Sequence, residues 1–468
     1  MAERRPTPVL LTLALACVAF SLSQTLVVPA LPSLAEEFDA SPSTVSWVLT
    51  GFLVSASIAT PIVGKLGDLF GKGRVLTAVL LLFSAGAVIN ALAGSIAVVI
   101  AGRVLQGVAG GVFPLAFGIV RDTFPREHIP GGLAMISAIF GIGGGIGLPL
   151  SGVIVDHVDL QWLFWINLIA LPAAFAAHRL IPPSPPVPNA RVDWIGAFVL
   201  AGGLAGILLG VSQGSEWGWG SPANVGAIAG GLALIGVFVV VEGRVAQPLI
   251  DLQVLRRRSV AATNLTGFMV GAAMFSSFLI MPQFAQAPEV TGYGFGFSVT
   301  EAGLLLMPTA LAQLLAGAPA TRIAARVGFR ALLSLGAVMI TASFLINTFA
   351  HSHPWELVIG GILLGAGITF AFAAMANLIV EAVSQSEVGI ATGINTVMRT
   401  VGGSFGAAAA TAILAASELE TLPLPAEGAY TAAFAFSSGA GVLALLASRL
   451  VPRPAKRVSL EPARAGSR

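Results

Sequence analysis

The sequence predicts an all-α membrane protein with fourteen transmembrane helices. Its 468 residues are 56% hydrophobic and only 10% charged, far below the roughly 25% charged residues of an average soluble domain. Apolar runs of about 20 residues, enough to cross a bilayer as a helix, recur along the whole chain. These runs are continuous rather than alternating, which favours helices over a β-barrel.

The apolar runs give the predicted spans in chain order. They cover residues 8–29, 44–64, 75–94, 96–120, 132–155, 162–181, 194–212, 223–241, 260–283, 301–320, 329–349, 355–380, 388–416 and 428–450. Arg4 and Arg5 precede the first run as they would in a signal peptide. Because that run is long and thirteen more follow, we interpret it as a retained first span.

The charges support an even number of spans. Of the 24 Lys and Arg residues, 22 fall in the termini or at the even-numbered connections. The odd-numbered connections contain no basic residue and carry acids such as Glu36 and Asp156. The positive-inside rule then places both termini in the cytoplasm.

An internal repeat divides the chain. A shift of 257 residues lays the glycine-rich span 5 over span 13, and Gly71 over Gly328. Two related six-helix halves are typical of transporters whose site lies at the repeat interface. We therefore expect an N-terminal half over residues 1–181 and a proline-rich linker with an inserted pair, spans 7 and 8, over 182–259. The C-terminal half and a cytoplasmic tail would cover 260–468.

The stretch "GKLGDLFGKGR", residues 64–74, concentrates charge in the predicted loop between spans 2 and 3. One interpretation is a solvated loop whose bases set topology. In the other, the Asp68 carboxylate binds a helix N-terminus or an arginine in one conformation and releases it in another.

Several stretches in order resemble the signatures of one family. "RVLQGVAGGVFP" from Arg103, "GIGGGIGLPLSG" from Gly141 and "DWIGAFVLAGGLAGILLGVSQG" from Asp193 lie in spans 4, 5 and 7, and "QPLIDLQVLRRR" precedes span 9. With the loop residues Gly64, Leu66, Asp68, Gly71, Lys72 and Leu76, they look like the major facilitator superfamily, and within it the fourteen-span drug/proton antiporters. The resemblance covers essentially the whole chain and implies the major facilitator fold and multidrug efflux.

The resemblance also implies roles for particular residues. In that family the loop aspartate latches the cytoplasmic side of the two halves in the outward-open state. Carried over, Asp68 is the latch, between Gly64 and Gly71, with Arg121 as its partner. Span 5 would use Gly143, Gly147, Pro149 and Gly152 for close helix packing, although the usual Gly-Pro pair here reads Gly147-Leu148-Pro149.

Arg103 and Arg399 lie within spans 4 and 13, where an unpaired arginine costs at least roughly 2.5 to 3.5 kcal/mol. The resemblance gives Arg103 a role in proton coupling. The structural alternative is an arginine that binds backbone carbonyls and fixes span 1 against span 4. Arg399 has the same two interpretations.

Proton coupling needs a titrating group, yet no Asp or Glu lies near the middle of any span. Where the family's span 1 pattern has an acidic residue, this chain has Ser23 and Gln24. Either carboxylates at span ends couple transport, with Asp156 and Glu301 as candidates, or transport is not coupled in the usual way.

The same lack of acids bears on the substrate. Two intramembrane arginines without mid-span acids favour neutral or anionic amphipathic molecules over lipophilic cations. Candidate substrate-binding residues, with polar or apolar side chains that could face a cavity, are Gln24, Thr25, Gln106, Asn264, Asn377 and Asn395, with Phe113, Phe268, Phe275, Phe372 and Met375.

Other function classes find no support. The net charge of +2 is small, and no aromatic and basic interleaving suggests nucleic-acid binding. No nucleotide-binding loop, metal cluster or catalytic triad appears, so we expect neither an enzyme nor a cofactor.

We therefore expect a monomeric secondary transporter of a bacterial cytoplasmic membrane, exporting drugs or amphipathic metabolites by alternating access with proton antiport, and hence associated with antibiotic resistance. The alternatives are a lipid or anionic-metabolite carrier without tight proton coupling and, from another class, a non-transporting membrane sensor or scaffold.

Overall fold

The computed structural model describes residues 6–182, 193–245, 252–384, 387–416 and 424–452. Fourteen long helices run through this part of the chain. Numbered α1 to α14 in chain order, they are Pro6–Thr25, Pro42–Phe70, Lys72–Ala91, Ile96–Thr123, Ile129–His157, Trp162–Leu180, Trp194–Ser212, Pro222–Glu242, Arg258–Gln286, Val299–Val327, Phe329–Phe349, Pro354–Ala382, Val388–Ala415 and Glu427–Arg449. Short 3₁₀ turns at Val108–Gly111 and Ile166–Ile169 lie within α4 and α6.

The predicted fold class is confirmed. Thirteen of the helices are long and apolar enough to cross a membrane, and α5, with 29 residues, stands in the position of the predicted fifth span. Short helices that the sequence did not predict lie at Leu31–Glu37, Gly214–Trp217 and Leu252–Arg256. The predicted proline-rich linker, apart from its first and last residues, and the predicted cytoplasmic tail lie outside the described residues.

The prediction of a charged loop at residues 64–74 is wrong. Helix α2 continues to Phe70 and α3 begins at Lys72, so Gly71 alone joins them. Its φ of 97° favours glycine because a Cβ would be strained there. Gly328, with a φ of 84°, joins α10 to α11 in the same way. Asp68 therefore lies in the last turn of a helix, and Lys72 in the first turn of the next.

The N-terminal and C-terminal halves share one detail of helix packing. On α3, Asn90 places its side-chain oxygen 2.0 Å from the position that a Cβ on Gly102 of α4 would occupy. On α11, Asn347 does the same toward Gly360 of α12, at 2.2 Å. Asn90 and Asn347 are 257 residues apart, the same shift that relates the two parts of the sequence.

The pair α7 and α8 packs at the side of the bundle. Gly203, Gly206 and Gly210 of α7 lie against α8, where Cβ atoms would meet Ile235 or Ile228 side chains or the Ala227 carbonyl oxygen. Helix α7 also packs with Ala197, Leu200 and Leu204 against apolar residues of α2 and α13. Exposed Val225, Leu232 and Val240 on α8 give it an apolar outer surface, which suits contact with lipid.

Glycines bring α9 and α13 into backbone contact. A Cβ on Gly402 would lie 2.0 Å from the carbonyl oxygen of Phe268, and one on Gly271 would lie 2.1 Å from that of Arg399. A Cβ on Gly406 would lie 2.2 Å from the carbonyl oxygen of Ala272. Small residues of this kind let membrane helices approach closely.

We expect Gly402→Ala to lower the thermal unfolding midpoint of the detergent-solubilised protein by several degrees, because the new methyl group meets a backbone atom that cannot rotate away. Gly439→Ala on α14 is the matched control. No atom lies within 4 Å of the position that a Cβ on Gly439 would occupy. The substitution should therefore be neutral or slightly stabilising, since alanine favours helices. Equal midpoints for the two variants would contradict the close α9–α13 contact.

Candidate functional site

The bundle has two chemically different ends. The basic end carries Lys65, Arg74, Arg121, Arg257 and Arg330, at the ends of helices or beside them. The acidic end carries Glu36, Glu37, Asp39, Asp156 and Asp159. Every long helix runs from one of these ends to the other, so the two halves can meet at either end.

Helices α2 and α13 touch at the basic end. A Cβ on Gly64 would lie 2.8 Å from the carbonyl oxygen of Gly389, and one on Gly393 would lie 3.4 Å from that of Thr60. The Asp68 carboxylate lies 3.0 Å from the Cβ position of Gly389, in the first turn of α13. A carboxylate beside a helix N-terminus is stabilised by the partial positive charge there.

The cation beside Asp68 is Lys72. Its Nζ lies 3.0 Å from the Asp68 carboxylate and 3.0 Å from that of Asp122 on α4, and the lysine is 5% exposed. The sequence instead suggested Arg121 as the partner of Asp68. Lysine and two carboxylates thus join α2, α3 and α4 behind the contact with α13.

Arg121 reaches the other half by a different route. Its guanidinium donates to the carbonyl oxygens of Val383 at 3.1 Å and Ser384 at 3.2 Å, just past the end of α12. Arg257, before α9, donates to the Ala382 carbonyl oxygen at 2.6 Å. Unpaired carbonyls at a helix C-terminus carry partial negative charge, so cations are favoured there.

Glu387 completes this group of contacts. Its carboxylate accepts from the Ser384 backbone N–H at 2.8 Å and lies 3.8 Å from Arg257. Burial opposes the negative charge, but the hydrogen bonds from Ser384 and the nearby guanidinium outweigh it and hold the pKa of Glu387 below its usual range. Glu387 is therefore negatively charged at neutral pH.

A cavity of about 200 Å³ lies between α1, α2, α9 and α13, in the half of the bundle nearer the acidic end. Its lining is uncharged. The polar side chains in it are Gln24, Thr25, Thr50, Thr400, Ser404 and Thr411. Phe275 and Phe278 supply aromatic surface, with ring centroids 5.9 Å apart. The cavity can therefore hold a molecule with apolar surface and a few hydrogen-bonding groups.

Of the predicted substrate residues, Gln24, Thr25 and Phe275 line this cavity. Asn264, Asn395 and Met375 form a separate cluster, in which the Asn395 amide donates to Asn264 at 3.1 Å. Asn377 donates to a carbonyl oxygen of its own helix, at Ala373.

The remaining candidates pack elsewhere. Phe113 lies against Phe20 and Phe117, and Phe268 against Phe405. Gln106 and Phe372 contact the two buried arginines described below.

Sequence reasoning missed much of the lining, notably Thr50, Phe278, Thr400, Ser404 and Thr411. The last three lie four and seven residues apart, on one face of α13. That spacing was visible in the sequence, but it did not say which face of the helix meets the other half.

Arg103 is completely buried at 0% exposure and binds two other helices. It donates to the Ser23 hydroxyl at 2.7 Å, the Ser23 carbonyl oxygen at 3.0 Å and the Val48 carbonyl oxygen at 3.2 Å. It also donates to Gln106 and lies over the Phe52 ring, 4.1 Å from the centroid. These are the contacts of the structural alternative, in which the arginine fixes α1 and α2 against α4.

Arg399 is 4% exposed on α13, next to the cavity residue Thr400. It donates to the Thr396 hydroxyl at 3.1 Å, and its guanidinium lies 4.2 Å from the centroid of the Phe372 ring on α12. A cation over an aromatic face is stabilised by the ring's quadrupole. These contacts join α13 to α12.

The two candidate coupling carboxylates lie at the acidic end. Glu301 is exposed and forms a capping box with Ser298, accepting from its backbone N–H at 2.8 Å. These contacts account for a glutamate at the start of α10 without any coupling role. Asp156 accepts from the Thr300 hydroxyl at 2.7 Å, which joins α5 to α10.

The α5 residues predicted to pack closely lie in narrow contacts. Cβ atoms on Gly143 and Gly147 would meet Ser21 and Thr25 of α1, and one on Gly152 would meet Thr300 of α10 at 3.0 Å. The Thr25 hydroxyl donates to the Gly143 carbonyl oxygen. Helix α5 continues through Pro149, which is buried.

Comparison with known sequences points to the family that the sequence motifs resemble. The sequence profile of the Major Facilitator Superfamily (MFS) matches residues 13–294 and 263–467. An uncharacterized MFS-type transporter of Mycobacterium tuberculosis is 28% identical over 391 residues, covering 82% of this chain and 56% of that protein. The chain thus spans little more than half the length of that relative.

Two other relatives have names that specify export. The multidrug transporter protein MdtP of Bacillus subtilis is 26% identical over 393 residues, covering 82% of this chain and 71% of MdtP. The tetracenomycin C resistance and export protein of Streptomyces glaucescens is 26% identical over 425 residues, covering 90% of this chain and 78% of that protein.

The fold also matches a solved structure. The crystal structure of the human organic anion transporter MFSD10 (TETRAN) superimposes with a TM-score of 0.68 at 17% identity, covering 96% of this chain and 100% of that chain. At this identity the likeness concerns the fold alone.

We expect Arg103→Lys to lower the thermal unfolding midpoint strongly, because an ammonium cannot reproduce the planar fork of hydrogen bonds. Each buried acceptor left unpaired costs about 1–3 kcal/mol. Arg322→Lys, at an exposed position on α10, is the matched control and should leave the midpoint unchanged. An unchanged midpoint for Arg103→Lys, together with an altered pH dependence of transport, would favour the coupling role instead.

Proposed function

The chain belongs to the Major Facilitator Superfamily, and on that basis we propose that it exports uncharged amphipathic molecules from the cytoplasm by alternating access. Membership makes it a membrane transporter rather than an enzyme. It also leaves no support for the alternative of a non-transporting sensor or scaffold. The finer assignments, namely direction, substrate and coupling, are the proposal.

The observation that supports the proposal is the uncharged cavity between the N-terminal and C-terminal halves. It lies nearer the acidic end, while α2 and α13 are in contact at the basic end. The basic end faces the cytoplasm by the positive-inside rule. We therefore propose that this conformation is the outward-facing one and that the cavity holds a substrate before its release.

The lining suggests the substrate class. Hydroxyl and amide groups can bind carbonyls and hydroxyls, and the two phenylalanines offer apolar contact. No lining residue carries a negative charge that would offset the desolvation of a cation. A neutral aromatic or polycyclic molecule therefore fits better than a quaternary ammonium compound. The relatives whose names specify multidrug transport and tetracenomycin C export support a drug-like substrate class.

The latch assignment is part of the proposal. Asp68 lies at the α13 N-terminus and beside Lys72, while Arg121 binds the carbonyls beyond α12. Both contacts join residues of the N-terminal and C-terminal parts of the chain, and both must break when the basic end opens. Gly64 supports them by allowing close approach of the helices, and Gly71 by ending α2 within one turn of Asp68.

We propose that a proton gradient drives export by antiport. Asp156 is the candidate titratable group at a contact between the two halves, through Thr300. Arg103 and Arg399 would then act by holding helices in place rather than by carrying the proton. A carrier without tight coupling is the second candidate, favoured by the absence of Asp and Glu from the middle of every span. We propose that the protein works as a monomer in a bacterial cytoplasmic membrane, with both termini inside.

Transport into inverted vesicles or proteoliposomes tests the function directly. We expect neutral amphiphiles to accumulate faster than cationic or anionic ones of similar size, and an imposed pH gradient to drive that accumulation. Empty liposomes are the control. If the gradient has no effect on measurable transport, the uncoupled carrier replaces the antiporter. Preferential transport of quaternary ammonium dyes would contradict the substrate class.

We expect Asp68→Asn to open the basic end more often, because the amide loses the negative charge that the α13 N-terminus favours. A loss of about 1 kcal/mol shifts a two-state equilibrium roughly three- to tenfold. The measurement is maleimide labelling of Gly393→Cys from the basic-end side, in a Cys17→Ala background that removes the single native cysteine. Asp159→Asn, at the acidic end, is the control. An unchanged labelling rate in Asp68→Asn would refute the latch.

A further inference from the structure

The side chain of Gln313 on α10 is buried and has no hydrogen-bond partner. It is 1% exposed, and neither its amide nitrogen nor its amide oxygen has a partner. Buried side-chain polar groups in proteins are normally paired, and leaving them unpaired is costly. A different conformation of the protein, in which the amide finds a hydrogen-bond partner, would explain a glutamine at this position.

The surroundings of Gln313 are shaped around polar groups. Thr309, one helical turn away on the same face, is 4% exposed, and its hydroxyl is also unpaired. Both face the glycines of α12. A Cβ on Gly365 would lie 3.1 Å from Cγ of Gln313, and one on Gly361 would lie 2.3 Å from the Thr309 hydroxyl oxygen. Glycine at these two positions lets α12 pack closely against two side chains that can donate and accept hydrogen bonds.

Helix α5 of the other half covers this position. It packs along both α10 and α12. Gly317, one turn from Gln313 toward the basic end, faces Ala138 of α5, and its Cβ would lie 3.5 Å from that of Ala138. If the halves separate at the basic end, this contact is among those that open. Gln313, one turn farther from the basic end, would then lie beside the opened contact.

We propose that Gln313, together with Thr309, forms a substrate-loading site of the conformation open to the cytoplasm. The site would bind the hydrogen-bonding group of an uncharged substrate, such as a carbonyl, hydroxyl or amide. An amide offers both a donor and an acceptor and carries no charge. In the outward-facing conformation the two side chains are left unpaired, so this state is destabilised and return to the loading state is favoured. This inference rests on the proposed export function and specifies where its substrate is first bound.

Asn347 is the contrasting case. Its amide is also buried and unpaired, but it lies between α11 and α12 against Gly360, within one half. Its counterpart Asn90 takes the equivalent position in the other half. That repeated arrangement accounts for Asn347 as helix packing, whereas Gln313 lies one turn from Gly317, which faces α5 of the opposite half.

The first test compares Gln313→Met with Ser343→Ala in proteoliposomes and in detergent. Methionine matches glutamine in length but makes no strong hydrogen bonds. We expect Gln313→Met to keep or raise the unfolding midpoint, since no bond is lost, and to raise the KM for a neutral substrate roughly three- to tenfold. Ser343 is buried and donates to the Gly360 carbonyl oxygen at 2.6 Å. Ser343→Ala should lower the midpoint and leave the KM unchanged. An unchanged KM in Gln313→Met would overturn the proposal, whatever its midpoint.

The second test does not depend on knowing the substrate. Gln313→Cys in the Cys17→Ala background should react with a thiol reagent applied from the basic-end side, and more slowly when a transported neutral compound is present. Gln313→Cys that never reacts from that side would overturn the proposal. If the wild type moves no compound of the panel, the export function fails by itself, and the labelling still reports whether the position opens to the cytoplasm.

Discussion

At the basic end of the bundle, Gly64 of α2 and Gly389 of α13 approach so closely that neither position has room for a side chain. Much else depends on this contact. It brings the Asp68 carboxylate to the first turn of α13, where the helix end favours it. It also closes one end of the interface between the halves, so that the remaining space, the cavity beside Thr50 and Thr400, lies toward the other end.

The charged residues of this chain have three different roles. Those at the helix ends set topology. At the closed end, Lys72 binds Asp68 and Asp122 within the N-terminal half, whereas Arg121 binds carbonyl oxygens of the other half just past α12. Arg103, in contrast, binds carbonyl and hydroxyl oxygens of α1 and α2 in a fully buried position. Its hydrogen bonds offset the cost of an intramembrane charge and make it a fixed point of the N-terminal half.

The uncharged lining of the cavity and the uncharged side chains beside Gly365 have consequences for transport. The cavity offers hydroxyls and an amide, and the buried position beside Gly365 offers another amide and a hydroxyl. A cation would find no carboxylate at either place to replace its lost hydration. A neutral molecule would lose less hydration free energy on entering. It could form the same kind of hydrogen bond in the cavity and beside Gly365. Sites of similar, moderate strength on the two sides are compatible with release as well as binding.

The sequence by itself determined the fold class, the positions of the helices and the helix-end placement of almost all charges, because the bilayer requires long apolar helices and penalises charge within them. Two ranges, 194–212 and 329–349, agree with the helices to the residue. The sequence also pointed to Gln24 and Thr25. It could not give the pairing of Asp68 with Lys72, which depends on α2 continuing to Phe70. Nor could it separate Phe278, which lines the cavity, from Phe113, which packs against other rings. Both are apolar residues within spans, and only the packing of one helix against another decides which side of each helix faces the other half.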